Sequence, residues 1–183
     1  MKQDEGKSIV LIGFMGVGKT TAGERAARKS NRVFVDIDLE IEKKFTLPVN
    51  EIFKKHGEQA FRSIEKQLIE EHCHQSGHVL SLGGGAFMNS DTRNTCLQHT
   101  VVIFLDITWG AWLNRYKQLI DTRPLLQQKS LQEVEQLFLE RRQVYAHHHG
   151  KIMMDDLSPD EAANKIIELA SSKKGAVQKV SKN

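Results

Sequence analysis

The segment Gly13-Phe-Met-Gly-Val-Gly18-Lys19-Thr20 fits the pattern G-x-x-x-x-G-K-[ST] at every fixed position. On average composition, a chance match anywhere in a chain of this length is under about 1%. The pattern constrains the fold because its chemistry works only between a strand and a helix. Its glycines let the backbone curl until N–H groups face inward around phosphate oxygens. The helix that follows adds the positive end of its dipole. Here the run Ser8 to Ile12 reads as the strand and Thr20 to Ala27 as the helix. Lys19 is expected to neutralise the β- and γ-phosphates of ATP, and Thr20 to offer its hydroxyl to Mg²⁺. ATP contacts are expected from Gly13, Gly16, Val17, Gly18, Lys19, Thr20 and Thr21.

The rest of the chain continues the alternation. Val33 to Ile37, His78 to Leu82, Val101 to Leu105 and Lys151 to Met154 are short apolar runs of the buried-strand kind. Between them lie helical stripes, Phe61, Ile64, Leu68 and then Leu131, Val134, Leu137, Phe138, Tyr145. Ser158-Pro-Asp-Glu161 is a helix-start signature. Five strands alternating with helices imply a three-layer α/β/α domain around a parallel sheet. We expect one domain over residues 1–172, with 173–183 as a Lys-rich disordered tail. The stretch Gln118 to Lys129 has poor periodicity and the length of a lid.

Charge narrows the function classes. The 26 Lys and Arg exceed the 23 Asp and Glu by only three, too little for a nucleic-acid binder. No run approaches the ~20 apolar residues of a membrane span, and the polar start, Met1 to Lys7, does not resemble a signal peptide. Cys73 and Cys96 lie outside any Cys-x-x-Cys motif and read as free thiols in a reducing cytoplasm.

Two further features point to chemistry. Val33-Phe-Val-Asp36-Ile-Asp38 puts two carboxylates at a strand's carboxyl end, where open α/β sheets gather ligands. If the strand continues, both face one cleft, one for Mg²⁺ and one for a substrate hydroxyl. N-capping of the following helix is the alternative. The strand His78 to Leu82 carries Ser81 where many phosphate-loop enzymes have a metal-binding Asp, which makes Asp36 the better metal candidate. Gly83-Gly84-Gly85 follows and suits close approach to a ligand, or a tight turn.

Together these features resemble the shikimate kinase family from about Ile9 to Leu169. The resemblance rests on the phosphate loop, Asp36-Ile-Asp38, Phe61-Arg62-Ser-Ile-Glu65, Ser81-Leu-Gly-Gly-Gly-Ala86, Thr122-Arg123-Pro-Leu-Leu126 and Arg141-Arg-Gln-Val-Tyr145. It implies a phosphate-loop fold like that of the nucleoside-monophosphate kinases, with sheet order 2-3-1-4-5. It also implies a substrate-binding helical segment at about 36–65 and a lid at about 116–128. The implied reaction moves the ATP γ-phosphoryl to the 3-hydroxyl of shikimate, in aromatic amino-acid biosynthesis, in a monomeric cytoplasmic enzyme.

By the same resemblance Asp38 grips the accepting hydroxyl and Arg62 and Arg141 bind the shikimate carboxylate. Gly84 and Gly85 offer backbone contacts, and Glu65 buttresses Arg62. Arg123 reaches the phosphates from the lid, as a catalytic residue beside Lys19 and Asp38. Arg115 matches the family's adenine-stacking arginine. The chain departs from the family's Arg-x-Pro-x-Tyr, since Gln143 replaces Pro and Arg142 doubles the arginine. Arg141 lies three residues after Phe138, on the inward stripe, which favours it over Arg142.

The chemistry stands beside the resemblance. A small anion with hydroxyls needs cationic forks and an acceptor, and two arginines and an aspartate supply both. Phosphoryl transfer through a loose transition state depends mostly on positioning and charge, so Asp38 is expected chiefly to orient the hydroxyl. His72, Cys73, His74 and His78 resemble a zinc cluster but do not share a helix face. His147-His148-His149 suits a helix end. A gluconate kinase or nucleoside-monophosphate kinase would use the same fold. A GTPase-type switch would need Asn-Lys-x-Asp, whereas Asn164-Lys165 is followed by two Ile. An inactive binding module conflicts with intact Lys19, Thr20, Asp36 and Asp38.

Overall fold

The computed structural model describes residues 6–119 and 129–173. Five parallel strands form one sheet: β1 (Ile9–Ile12), β2 (Val33–Asp36), β3 (His78–Ser81), β4 (Val101–Asp106) and β5 (Gly150–Met153). Their order is β2-β3-β1-β4-β5, as expected from the resemblance. Each strand lies within a residue or so of its sequence-based position. The helices are α1 (Lys19–Lys29), α2 (Ile37–Phe45), α3 (Val49–Cys73), α4 (Ser90–His99), α5 (Trp109–Leu119), α6 (Leu131–Tyr145) and α7 (Pro159–Lys173). A short 3₁₀ turn, Ala86–Met88, follows β3.

Every residue of β1 and β4 is buried, because helices cover both faces of the sheet. The period-2 alternation of a strand sorts them into two cores. Ile9 and Leu11 pack with Ile103, Leu105 and the alanines of α1 and α7, while Val10 and Ile12 pack with Val102, Phe104, Leu80 and Ile69. Small residues bring α1 close to the sheet: a Cβ on Gly23 would sit 2.7 Å from the Phe34 ring and 2.9 Å from Leu11.

Three local expectations are refined. The chain turns helical at Ile37, so Asp38 lies in the first turn of α2 rather than on a continued strand. Leu131, placed on the inward stripe, is 45% exposed, while Val134, Phe138 and Tyr145 on the same stripe are buried. A capping box at Ser130 and Glu133 starts α6 and makes Leu131 the first helical residue, which the core does not reach. The second box, Ser158 with Glu161, forms as expected. Helix α5 runs through Leu119, inside the expected lid, and α7 includes Lys173, the first residue of the expected tail. Residues 120–128, with Arg123, and 174–183 lie outside the described residues.

Candidate active site

Two glycine-rich turns, at the carboxyl ends of the neighbouring strands β1 and β3, form the site. The first is the phosphate loop. Gly18 is the N-cap of α1 at φ 102°, a left-handed conformation that disfavours any side chain. No side chain caps α1 and its first turn holds no acid. Its leading N–H groups therefore present an anion site with a helix dipole behind it. A Cβ at Gly13 would collide with the Leu105 carbonyl oxygen, so the loop lies directly against β4. Lys19 is buried, and its ammonium donates to the carbonyls of Gly13 (2.7 Å) and Phe14 (3.2 Å), which centres the charge in the loop. The Val17 side chain belongs to the core, and its N–H bonds Phe14 O within the loop. Thr21 is exposed on the first turn of α1.

Beside the loop, the Thr20 hydroxyl donates to Asp36 Oδ2 (2.9 Å). The other oxygen, Oδ1, accepts from the N–H groups of Asp38 (3.1 Å) and Leu39 (3.3 Å). Asp36 is thus both the N-cap of α2, the capping alternative read from sequence, and the partner of Thr20. Arg115, from α5, donates to Val17 O (3.3 Å) and Met154 O (3.1 Å), which sets its guanidinium between the loop and the end of β5.

The second turn is Gly83-Gly84-Gly85. Here glycine leaves space for neighbouring side chains, and none of the three adopts a positive φ. A Cβ on Gly83 would stand 2.6 Å from Asp38 Oδ1. On Gly84 it would stand 2.6 Å from an Arg141 Nη, and on Gly85 2.6 Å from an Arg62 Nη. Three consecutive residues thus form a floor under three side chains brought from α2, α6 and α3. The triplet was expected to allow close approach, with Gly84 and Gly85 contacting substrate through their backbone; in the structure side chains take the space a Cβ would fill at all three.

Helix α3 breaks at Gly57 (φ 80°, ψ 166°), and the part after the break carries Arg62 and Glu65 one turn apart. Arg62 donates to Glu65 Oε2 at 2.7 Å, the buttress expected from their spacing. Burial pushes the Glu65 carboxyl up, opposed by the Arg62 fork. Burial also works against the Arg62 charge, but Glu65 and Glu58 outweigh it and hold the guanidinium above its ordinary value. Arg141 rests over the Phe14 ring, 5.7 Å from its centroid. Burial pulls its pKa down, Tyr145 pulls it up, and the nearby positive charge of Arg62 pulls it down further. No ion pair or hydrogen bond joins Arg141 to a described residue. Tyr145, whose phenol burial pushes up to about 12, stays protonated and donates to Gly84 O at 2.8 Å. Two mutually repelling guanidiniums with an aspartate alongside suit one small ligand carrying a carboxylate and hydroxyls.

Arg142, the alternative to Arg141, turns the other way and forms a bidentate pair with Asp106. Sequence reasoning missed Asp106; the signal was a lone acid closing the apolar run Val101 to Leu105. Elsewhere, Cys73 packs against Cys96 (Sγ–Sγ 3.8 Å), His74 against His99, and His72 against His78. Among the described residues, no three His, Cys, Asp or Glu side chains are grouped to hold a metal, and no helix is long and apolar enough to cross a membrane. The histidine run divides. His147 stays at the end of α6, while His149 Nδ1 accepts the Val102 N–H (2.9 Å) beside β5.

Comparison with known proteins adds a family context. The family model described as "Shikimate kinase" matches residues 15–171. A shikimate kinase of Bacillus licheniformis is 48% identical over 164 residues, 89% of this chain and 93% of that one. The crystal structure of shikimate kinase from Bacteroides thetaiotaomicron superposes with TM-score 0.82 at 29% identity, over 90% of this chain and 98% of that chain. The Acinetobacter baumannii enzyme in complex with shikimate gives TM-score 0.81 at 32% identity, over 92% and 95%.

Proposed function

The chain belongs to the shikimate kinase family, and from that premise we propose how its residues carry out the reaction, transfer of the ATP γ-phosphoryl to shikimate. The observation that carries the reading is the glycine floor with Asp38, Arg141 and Arg62 above its three residues. Arg62, steadied by Glu65, and Arg141, steadied by Phe14, clamp the shikimate carboxylate from two sides. The carboxylate relieves the repulsion between the two cations. Asp38 accepts from the 3-hydroxyl, turns its oxygen toward the phosphate loop and takes the proton late in the transfer. Lys19 and the N–H groups at the start of α1 hold the phosphates. Arg115 takes the adenine side, and Arg123 joins from the lid.

Thr20 and Asp36 fit Mg²⁺: both are hard oxygen donors, and so small a set leaves coordination positions for phosphate oxygens and water. Mg²⁺ held there supplies neutralisation of the charge that develops on the migrating group. The unbridged Cys73 and Cys96 fit a cytoplasmic setting.

The test is ADP release from Mg-ATP with shikimate, gluconate or a nucleoside monophosphate as acceptor. Release dependent on shikimate alone is expected. Release with a rival and none with shikimate would retain the phosphate loop and discard the carboxylate clamp.

A further inference from the structure

Arg141 and Arg142 are consecutive residues of one type with opposite surroundings. Arg141 reaches over Gly84 with no hydrogen-bonded partner among the described residues. Arg142 donates from Nε to Asp106 Oδ1 (3.1 Å) and from Nη2 to Asp106 Oδ2 (2.7 Å). Asp106 is the last residue of β4 and only 2% exposed. Its Oδ1 also accepts the Ile107 N–H (3.0 Å), and Lys151 Nζ stands 3.6 Å from Oδ2. The carboxylate is therefore fixed to the sheet, and the arginine fork fixes direction as well as distance.

The helix that carries both arginines needs such a hold. Of the fifteen residues of α6, Val134, Phe138 and Tyr145 are buried, and Leu137 and Val144 are partly buried beside them. After Phe138 the next apolar anchors are Val144, partly buried, and Tyr145, buried, six and seven residues on, and Arg141 lies before them. Beside the Val144 packing, two directional contacts hold that turn: Tyr145 to Gly84 O and the Arg142 fork to Asp106. Successive helical residues point about 100° apart, so a fork directed at β4 leaves Arg141 directed at the glycine floor.

We propose that the Arg142–Asp106 pair is the positioning device for the substrate-binding Arg141. It locks the last turn of α6 to the end of β4 and keeps the Arg141 guanidinium over Gly84. It also neutralises Arg142, so that only one of two adjacent cations is left to compete for the carboxylate. The inference rests on the assignment of Arg141 to the carboxylate.

The experiment is steady-state kinetics of the full chain with shikimate and ATP varied separately, for Arg141→Gln, Arg142→Gln, Asp106→Asn and the double variant Asp106→Asn/Arg142→Gln. Thermal unfolding is recorded for each. Arg142→Lys, which keeps the charge and loses the fork, serves if Arg142→Gln or Asp106→Asn fails to fold. Expected are rises in KM for shikimate of about ten-fold in Arg142→Gln and Asp106→Asn, equivalent to about 1.4 kcal/mol. KM for ATP and kcat stay within about two-fold, and the double variant is no worse than either single one. A rise in Arg142→Gln with none in Asp106→Asn would overturn the proposal, because Arg142 would then touch the substrate itself. No rise in either, with a large rise in Arg141→Gln, would overturn it while leaving the carboxylate assignment intact. No effect of Arg141→Gln would overturn the assignment and the proposal together.

Discussion

The phosphate loop and the glycine triplet are both glycine-rich turns at the carboxyl ends of adjacent strands, yet they use glycine differently. In the phosphate loop the backbone is the proposed ligand, and Gly18 is needed for a conformation that a side chain resists. In the triplet the side chains above are the proposed ligands. Gly83, Gly84 and Gly85 give Asp38, Arg141 and Arg62 room to lie against the chain. One turn is a continuous segment that folds into its function. The other is a platform whose function arrives from three distant helices. On the proposed assignment, nucleotide binding and acceptor binding should therefore be separable by mutation.

The largest expected effect tests that separation. Asp38→Asn should lower kcat by about 10²-fold or more and leave KM for ATP nearly unchanged. An unaltered kcat would remove Asp38 from the reaction. Next come alanines in the two turns. Gly84→Ala should raise KM for shikimate by about ten-fold with little change in unfolding temperature, because its Cβ meets the flexible end of Arg141. Gly13→Ala meets the rigid Leu105 carbonyl instead and should cost about 1–3 kcal/mol of stability along with ATP binding. Equal loss of stability in both would erase the distinction.

A smaller effect concerns pH. Burial, aided by Lys7, His148 and Lys173, lowers the His149 pKa from 6.5. The neutral ring accepts the Val102 N–H, and the protonated ring has no lone pair to do so. This contribution is full above 6.5, the unfolded value, and is lost as pH falls through the depressed folded value. His149→Gln should flatten the acid limb of a denaturation midpoint measured against pH; an unchanged limb would exclude this source. The smallest effect is Ser130→Ala, which removes the capping box of α6 and should cost about 1 kcal/mol without altering KM for ATP.

What could be read in advance follows the same division. Strand positions and the parallel sheet were legible because buried β-rich runs alternate with helices; the sheet order came from the family resemblance. Arg62 with Glu65, and Arg141 rather than Arg142, were legible because helical spacing fixes which residues share a face. Asp36 and Asp38 reach the site by a route different from the one expected. Strand alternation does not orient them, because the chain becomes helical at Ile37. Asp36 caps that helix and Asp38 projects from its first turn. Local pattern does not reveal when a strand will end, because capping and extension use the same residues.

By itself the sequence determined the nucleotide loop, the alternation that builds a parallel sheet, and the residue types of an anion-and-hydroxyl site. Each depends on interactions within a turn or two of chain. Only the tertiary structure decided that Gly83 belongs with Asp38, that Phe14 underlies Arg141, and that Asp106 takes Arg142. Those pairings join residues from 36 to 127 positions apart, and no local periodicity encodes them. They exist because the packing of α2, α3 and α6 over the carboxyl edge of the sheet leaves each side chain one place to go.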